Sequence, residues 1–146
     1  MFTGNALKTS QNPAAAYTVV GLETGVPHAD PHKLVLMLFE GALVSVAAAR
    51  NHMQQQNIAE KGMAVSKAID ILSNGLKASI DAKAGGELAD KLGALYDYMT
   101  NRLLFANLHN NIAALDEVFG LLSEIKSAWE EIAGDPAVAS RNKVAA

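Results

Sequence analysis

Residues 30–55 read DPHKLVLMLFEGALVSVAAARNHMQQ, and the order of residue types in this stretch decides the fold. Asp30 offers a side-chain acceptor to the orphan N–H groups of a helix start. Pro31 follows at the first helical position, where its missing N–H costs nothing. Val35, Leu38, Phe39, Ala42, Val46, Ala49 and Met53 then recur at helical spacing, which predicts a helix from Pro31 to about residue 55. Projected at about 100° per residue, Val35, Phe39, Ala42, Val46 and Met53 share one face. Leu36, Leu43 and Ala47 lie about 100° to one side, and Met37, Val44 and Ala48 nearly opposite. Lys33, Glu40 and Asn51 leave only a narrow polar strip. A helix that is apolar nearly all round is either central or shared with a partner, and a four-helix bundle has no central helix.

Outward from this segment the same arithmetic predicts three more helices. Asn57 stands as an N-cap with Glu60 three residues on, the arrangement of a capping box. Ile58, Gly62, Val65, Ile69, Leu72, Leu76 and Ile80 form the stripe of the second helix, and Gly85-Gly86 is expected to end it. Glu87 then sits in the first turn of a third helix, where a carboxylate complements the helix dipole. Its core face is Leu88, Leu92, Leu95, Met99, Leu103 and Ala106, with Ala94, Tyr98 and Phe105 on a second stripe and Leu104 and Leu108 further round. Tyr96 projects nearer the core. Arg102, beside Met99, is expected to pair with a neighbouring carboxylate. Asn110 and Asn111 punctuate before a fourth helix carrying Ile112, Leu115, Phe119, Leu122, Ile125, Trp129 and Ile132, closed by Gly134-Asp135-Pro136. The reading is an all-α, antiparallel four-helix bundle over 30–134, with an N-terminal capping segment at 1–29 and a flexible tail at 135–146. Gly93 and Gly120 have no sequence-level account.

Composition bounds the function. The 146 residues are 50% apolar and 18% charged, with 26 alanines and no cysteine; the mean hydropathy is +0.12. Ordinary domains carry about 25% charged residues, so surplus apolar surface is expected on the bundle. A net charge of −3 argues against disorder and against nucleic acid as the main partner. The longest unbroken apolar run, Leu34 to Phe39, falls short of the roughly 20 residues of a membrane helix, so no membrane insertion is expected. The absence of thiols fits a reducing compartment.

Chemistry is sparse. His28, His32, His52 and His109 match no metal motif, no serine lies in Gly-x-Ser-x-Gly, and no glycine loop cradles phosphate. Glu87, Asp90, Asp97, Asp116 and Glu117 read as solvated or dipole-complementing carboxylates. No metal, no cofactor and no enzymatic activity are expected.

Several segments in order carry a resemblance: Ala16-Tyr17; Asp30-Pro31-His32-Lys33-Leu34-Val35 with Met37-Leu38-Phe39-Glu40-Gly41-Ala42; Lys61-Gly62 and Lys67-Ala68; Gly85-Gly86-Glu87-Leu88-Ala89; Leu95-Tyr96-Asp97-Tyr98-Met99, Arg102-Leu103 and Ala106-Asn107; and Ala128-Trp129. Together, from about residue 16 to 132, they resemble the FliS family of flagellar secretion chaperones. Asp30, Phe2, Phe39 and Asn111 depart from the family's usual residues but keep caps and apolar character. The resemblance implies a cytoplasmic export chaperone of the bacterial cytosol. Its client would be the disordered C-terminal segment of flagellin, held against premature polymerisation and delivered to the flagellar export gate. An N-terminal lid bearing Tyr17, Val20 and Leu22 would be displaced as client helices enter grooves lined by Leu36, Leu43, Tyr98, Phe105 and Asn107, with the aromatics as anchors. The alternative is a homo-oligomeric structural bundle, or a weak homodimer, that buries the same stripes against itself.

Overall fold

The computed structural model describes residues 30–80 and 82–133. The expected capping segment with Tyr17, Val20 and Leu22, the Gly134-Asp135-Pro136 stop, the tail and His28 lie outside the described residues. Four helical stretches run in order: α1 (Pro31–Gln54), α2 (Ile58–Asp70), α3 (Ala82–His109) and α4 (Ile112–Ala133), with no strand among the described residues. α1 packs along both α2 and α4, and α3 closes the bundle against α4, α2 and the segment that follows α2.

α1 starts as its sequence dictates: Asp30 accepts the Lys33 amide at 2.7 Å, with Pro31 at the first helical position. It buries Phe39, Ala42, Val46, Ala49 and Met53. Ser45 is also buried, its hydroxyl returned to the Gly41 carbonyl at 2.9 Å, which satisfies the donor within the helix. α1 as a whole is more apolar than its longest unbroken apolar run indicates. α1 spans 24 residues with an 18-residue window of mean hydropathy 1.5, long and apolar enough to cross a membrane by length and composition. Alternation with small and polar residues had kept its unbroken apolar run short. α1's core-facing side packs against α2 and α4, as in the core helix of a bundle.

The second helix departs most from its expected stripe. Asn57 makes no capping hydrogen bond; its amide donates to Gln55 Oε1 at 3.1 Å and lies 3.4 Å from His52 Nδ1. The preceding Gln56 is left-handed, at φ 62°, and the Asn57 amide N–H returns to the His52 carbonyl at 2.9 Å. The tight turn that ends α1 has captured the side chain meant to start α2. After Asp70 the chain widens into a π-helical segment, Ile71–Leu76, and tightens into a 3₁₀ turn, Lys77–Ser79. The wide turn brings adjacent pairs inward, so Ile71 and Leu72, then Gly75 and Leu76, are buried. The helix therefore ends at Ser79, before the expected Gly85-Gly86. The glycine break falls instead inside α3, where Gly86 takes φ 54°, ψ −142°.

The core is Phe39, Val46, Val65, Leu72, Leu76, Met99, Leu103, Leu115, Val118 and Leu122 with their alanine neighbours. Four residues expected inside are exposed: Ile58 (61%), Leu88 (67%), Phe119 and Ile132. Ile58 and Ile132 fall in the end turns of α2 and α4, and Leu88 just after the Gly86 break in α3. On α4 the buried positions are Ala114, Leu115, Val118 and Leu122, and Phe119 falls outside them at 41% exposed. Tyr96 is buried as expected, its ring 6.5 Å from Phe39 across the core.

Candidate functional site

Two polar links set how α4 faces its neighbours. Arg50 of α1 reaches Asp116 through Nε at 2.7 Å and Nη2 at 3.4 Å. Arg102 of α3 reaches Glu117 Oε1 through Nε at 2.7 Å. These adjacent carboxylates point about 100° apart on α4, one toward each neighbouring helix. They are interhelical ties, where the sequence suggested solvated carboxylates; the pairing of Arg102 is as expected.

The ties locate the sequence-derived residues. Leu36 and Leu43 stand fourteen and seven residues before Arg50, in one heptad row, and so occupy the α4-facing flank of α1. Both are half-buried. Phe119, one turn beyond Asp116, falls on the matching flank of α4. Tyr98 and Phe105 belong to the other side of α4, in a row on α3 that also holds Arg102 and His109. Tyr98 is 44% and Phe105 39% exposed. The Tyr98 hydroxyl donates to Glu117 Oε2, which holds the Glu117 carboxyl below and the phenol above their ordinary ranges. Arg102 lies 4.8 Å over the Phe105 ring, and Phe105 lies 4.6 Å from the His109 ring. Asn107 is half-buried on the α2 side, its carbonyl accepting Lys61 Nζ at 3.0 Å. The bundle thus brings Tyr98 and Phe105 together and sets Leu36 with Leu43 on a separate flank.

Sequence reasoning missed three features. Lys61 is buried, bonded to Asn107 and to Asn110 Oδ1 at 2.6 Å; nothing local signals contacts 46 and 49 residues away. His32 is buried and stacked on Trp129 at 4.4 Å and 8°, and Trp129 Nε1 donates to the His32 carbonyl at 2.8 Å. Phe119 adds an aromatic to the α1–α4 flank. Among the described residues no cluster of three or more His, Asp or Glu is placed to hold a metal ion.

Fold and face define an all-α four-helix bundle that presents apolar and aromatic side chains outward from paired helices. Residues 13–136 match the family described as flagellar protein FliS. The chain belongs to that family. It is 47% identical over 132 residues to the flagellar secretion chaperone FliS of Salmonella typhimurium, covering 90% of this chain and 93% of that one. The flagellar secretion chaperone FliSB of Pseudomonas aeruginosa is 45% identical over 116 residues, 80% and 91% of the two chains. The flagellar secretion chaperone FliS of Bacillus subtilis is 31% identical over 121 residues, 83% and 86%.

Proposed function

We propose that this protein is a cytoplasmic export chaperone that binds the C-terminal segment of flagellin, keeps it from polymerising early and assists its delivery to the flagellar export apparatus. The observation that carries the reading is the outward row on α3. Tyr98 and Phe105 are large, exposed and ordered by Glu117 and Arg102, in a chain whose relatives are named flagellar secretion chaperones. Aromatics held in place beforehand give contact area at low entropic cost. A disordered client pays its ordering entropy on binding and needs an extended apolar track in return. Leu36, Leu43 and Phe119 offer a second stretch of such a track, and Leu104 and Leu108, at 52% and 77% exposed, a third. The reading involves no catalytic step and no cofactor.

Titration calorimetry with a flagellin C-terminal peptide tests this. Wild-type chain is expected to bind one peptide with a negative heat-capacity change, and Tyr98→Ala and Phe105→Ala are each expected to weaken binding about tenfold or more while staying folded. If both variants fold and bind as wild type does, the α3 row is not the docking face. A tight dimer whose sedimentation ignores the peptide would favour self-association instead.

A further inference from the structure

Resting on the client reading, we infer that Arg102 takes a carboxylate from the docked segment, so that the α3 row selects a client helix carrying an acidic side chain between two apolar ones. Tyr98, Arg102, Phe105 and His109 follow in steps of four, three and four, which places them in one row along α3. Against it stands the Glu117 carboxylate of α4, each oxygen of which has a partner, one Tyr98 and the other Arg102 Nε. The guanidinium is not. It has five N–H donors, and among the described residues it spends only Nε, leaving the Nη1–Nη2 edge without a partner. Its carbon lies 4.8 Å over the Phe105 ring, a contact that restrains the group without using its N–H donors. The side chain is 30% exposed, so the donors are within reach of a docked chain and partly screened from water.

Among the described residues no second acid pairs with that edge. Within a turn of Glu117, α4 presents Ala113, Ala114, Gly120 and Leu121, while Asp116 is turned to Arg50 of α1. On α3 the titratable groups in the same row are Tyr98, one turn before Arg102 and bonded to Glu117, and His109, two turns after it. A guanidinium binds one carboxylate through its Nε side and a second through its Nη edge, and such pairs are shorter and stronger than neutral hydrogen bonds. Register completes the description of the occupant. Tyr98 and Phe105 are seven residues apart, about 10 Å along the helix. A helix laid alongside covers both rings with apolar residues seven apart and meets Arg102 with a carboxylate three or four residues from each.

The experiment is a double-mutant cycle by calorimetry, using the full chain and a flagellin C-terminal peptide whose acidic residues are changed one at a time to the amide. Arg102→Gln is expected to weaken binding about tenfold. One peptide substitution is expected to cost the same with wild-type chain and nothing further with Arg102→Gln. Glu117→Gln, whose amide oxygen can still accept the Tyr98 hydroxyl while its NH2 cannot accept from Arg102, frees Nε and leaves the guanidinium's charge uncompensated, and is expected to bind as tightly as wild type or more so. That outcome separates a contact from a merely structural tie, because loss of the tie alone would make the two variants equally harmful. Unchanged binding by a folded Arg102→Gln, additive losses in the cycle, or Glu117→Gln weakening as much as Arg102→Gln each overturn the inference while leaving the client reading in place. A wild-type chain that does not bind the peptide overturns the client reading and the inference together. Should Arg102→Gln fail to fold, Arg102→Lys, which keeps the charge and removes the planar fork, carries the same cycle.

Discussion

Lys61 shows what a single side chain contributes here. It is 5% exposed, and its ammonium meets the Asn107 carbonyl and Asn110 Oδ1 in place of a carboxylate. A cation at the end of α3 complements the helix dipole and satisfies a carbonyl that the helix itself leaves unpaired. Hydrogen bonds to charged groups contribute roughly 1.5–3 kcal/mol. Lys61→Ala, which also loses the packing of the stem, is therefore expected to lower the unfolding free energy by about 2–3 kcal/mol in urea denaturation. Lys61→Met keeps the stem and loses the buried charge with its hydrogen bonds, and is expected to cost less than Lys61→Ala, about 1–2 kcal/mol. At this scale the sequence was legible where a residue acts within its own helix. Tyr96 and Tyr98 are two residues apart and point to different sides, and helical projection alone separated the buried ring from the exposed one. It was illegible where the partner lies on another helix: Asp116 and Glu117 look alike in sequence, and only the positions of Arg50 and Arg102 give each its direction.

Helix boundaries followed local chemistry except where two local demands met. Asp30-Pro31 opened α1 as read, and Asn111 caps α4 by accepting the Ala114 amide at 2.8 Å. At Asn57 the turn closing α1 and the cap opening α2 needed the same side chain, and the turn took it. The glycines sort by whether the backbone or the space around them demands them. Gly86 sits at φ 54°, ψ −142°, a conformation closed to residues with a Cβ, so Gly86→Ala is expected to cost about 1–3 kcal/mol. Gly120 is helical, and an added Cβ would meet nothing within 4 Å. Gly120→Ala is accordingly expected to stabilise the chain by up to about 1 kcal/mol. Thermal unfolding of the two variants should show shifts of opposite sign. Among the described residues an added Cβ at Gly93 would meet only Ile80, at 3.9 Å, and nothing in the structure explains why glycine stands there.

Across the whole molecule, Tyr96 joins α3 to α1 through Phe39, and burial pushes its phenol up to about 12 from an ordinary 10.0. Below pH 10 the phenol is protonated in both folded and unfolded chains, and its contribution to stability is fully present. Between roughly pH 10 and 12 the unfolded chain loses this proton while the folded chain keeps it, so stability falls as pH rises. The loss is on the order of 2 kcal/mol. Urea midpoints compared for wild type and Tyr96→Phe should show the steeper alkaline decline in wild type; parallel curves would remove the buried phenol as the cause. The same scale divides what was readable from what was not. Residue order by itself determined four helices, their approximate spans, most of the core and the family, because helical period, caps and breakers act within a few residues. It also determined that apolar surface would be left over. Only the tertiary structure decided where that surface lies. Exposure depends on which helix flanks meet, so Phe119 left the core, Leu36 and Leu43 were parted from Tyr98 and Phe105 by α4, and Arg102 was tied through Nε with its outer edge left free. Those outcomes are set by contacts between residues far apart in the chain, and no local pattern encodes them.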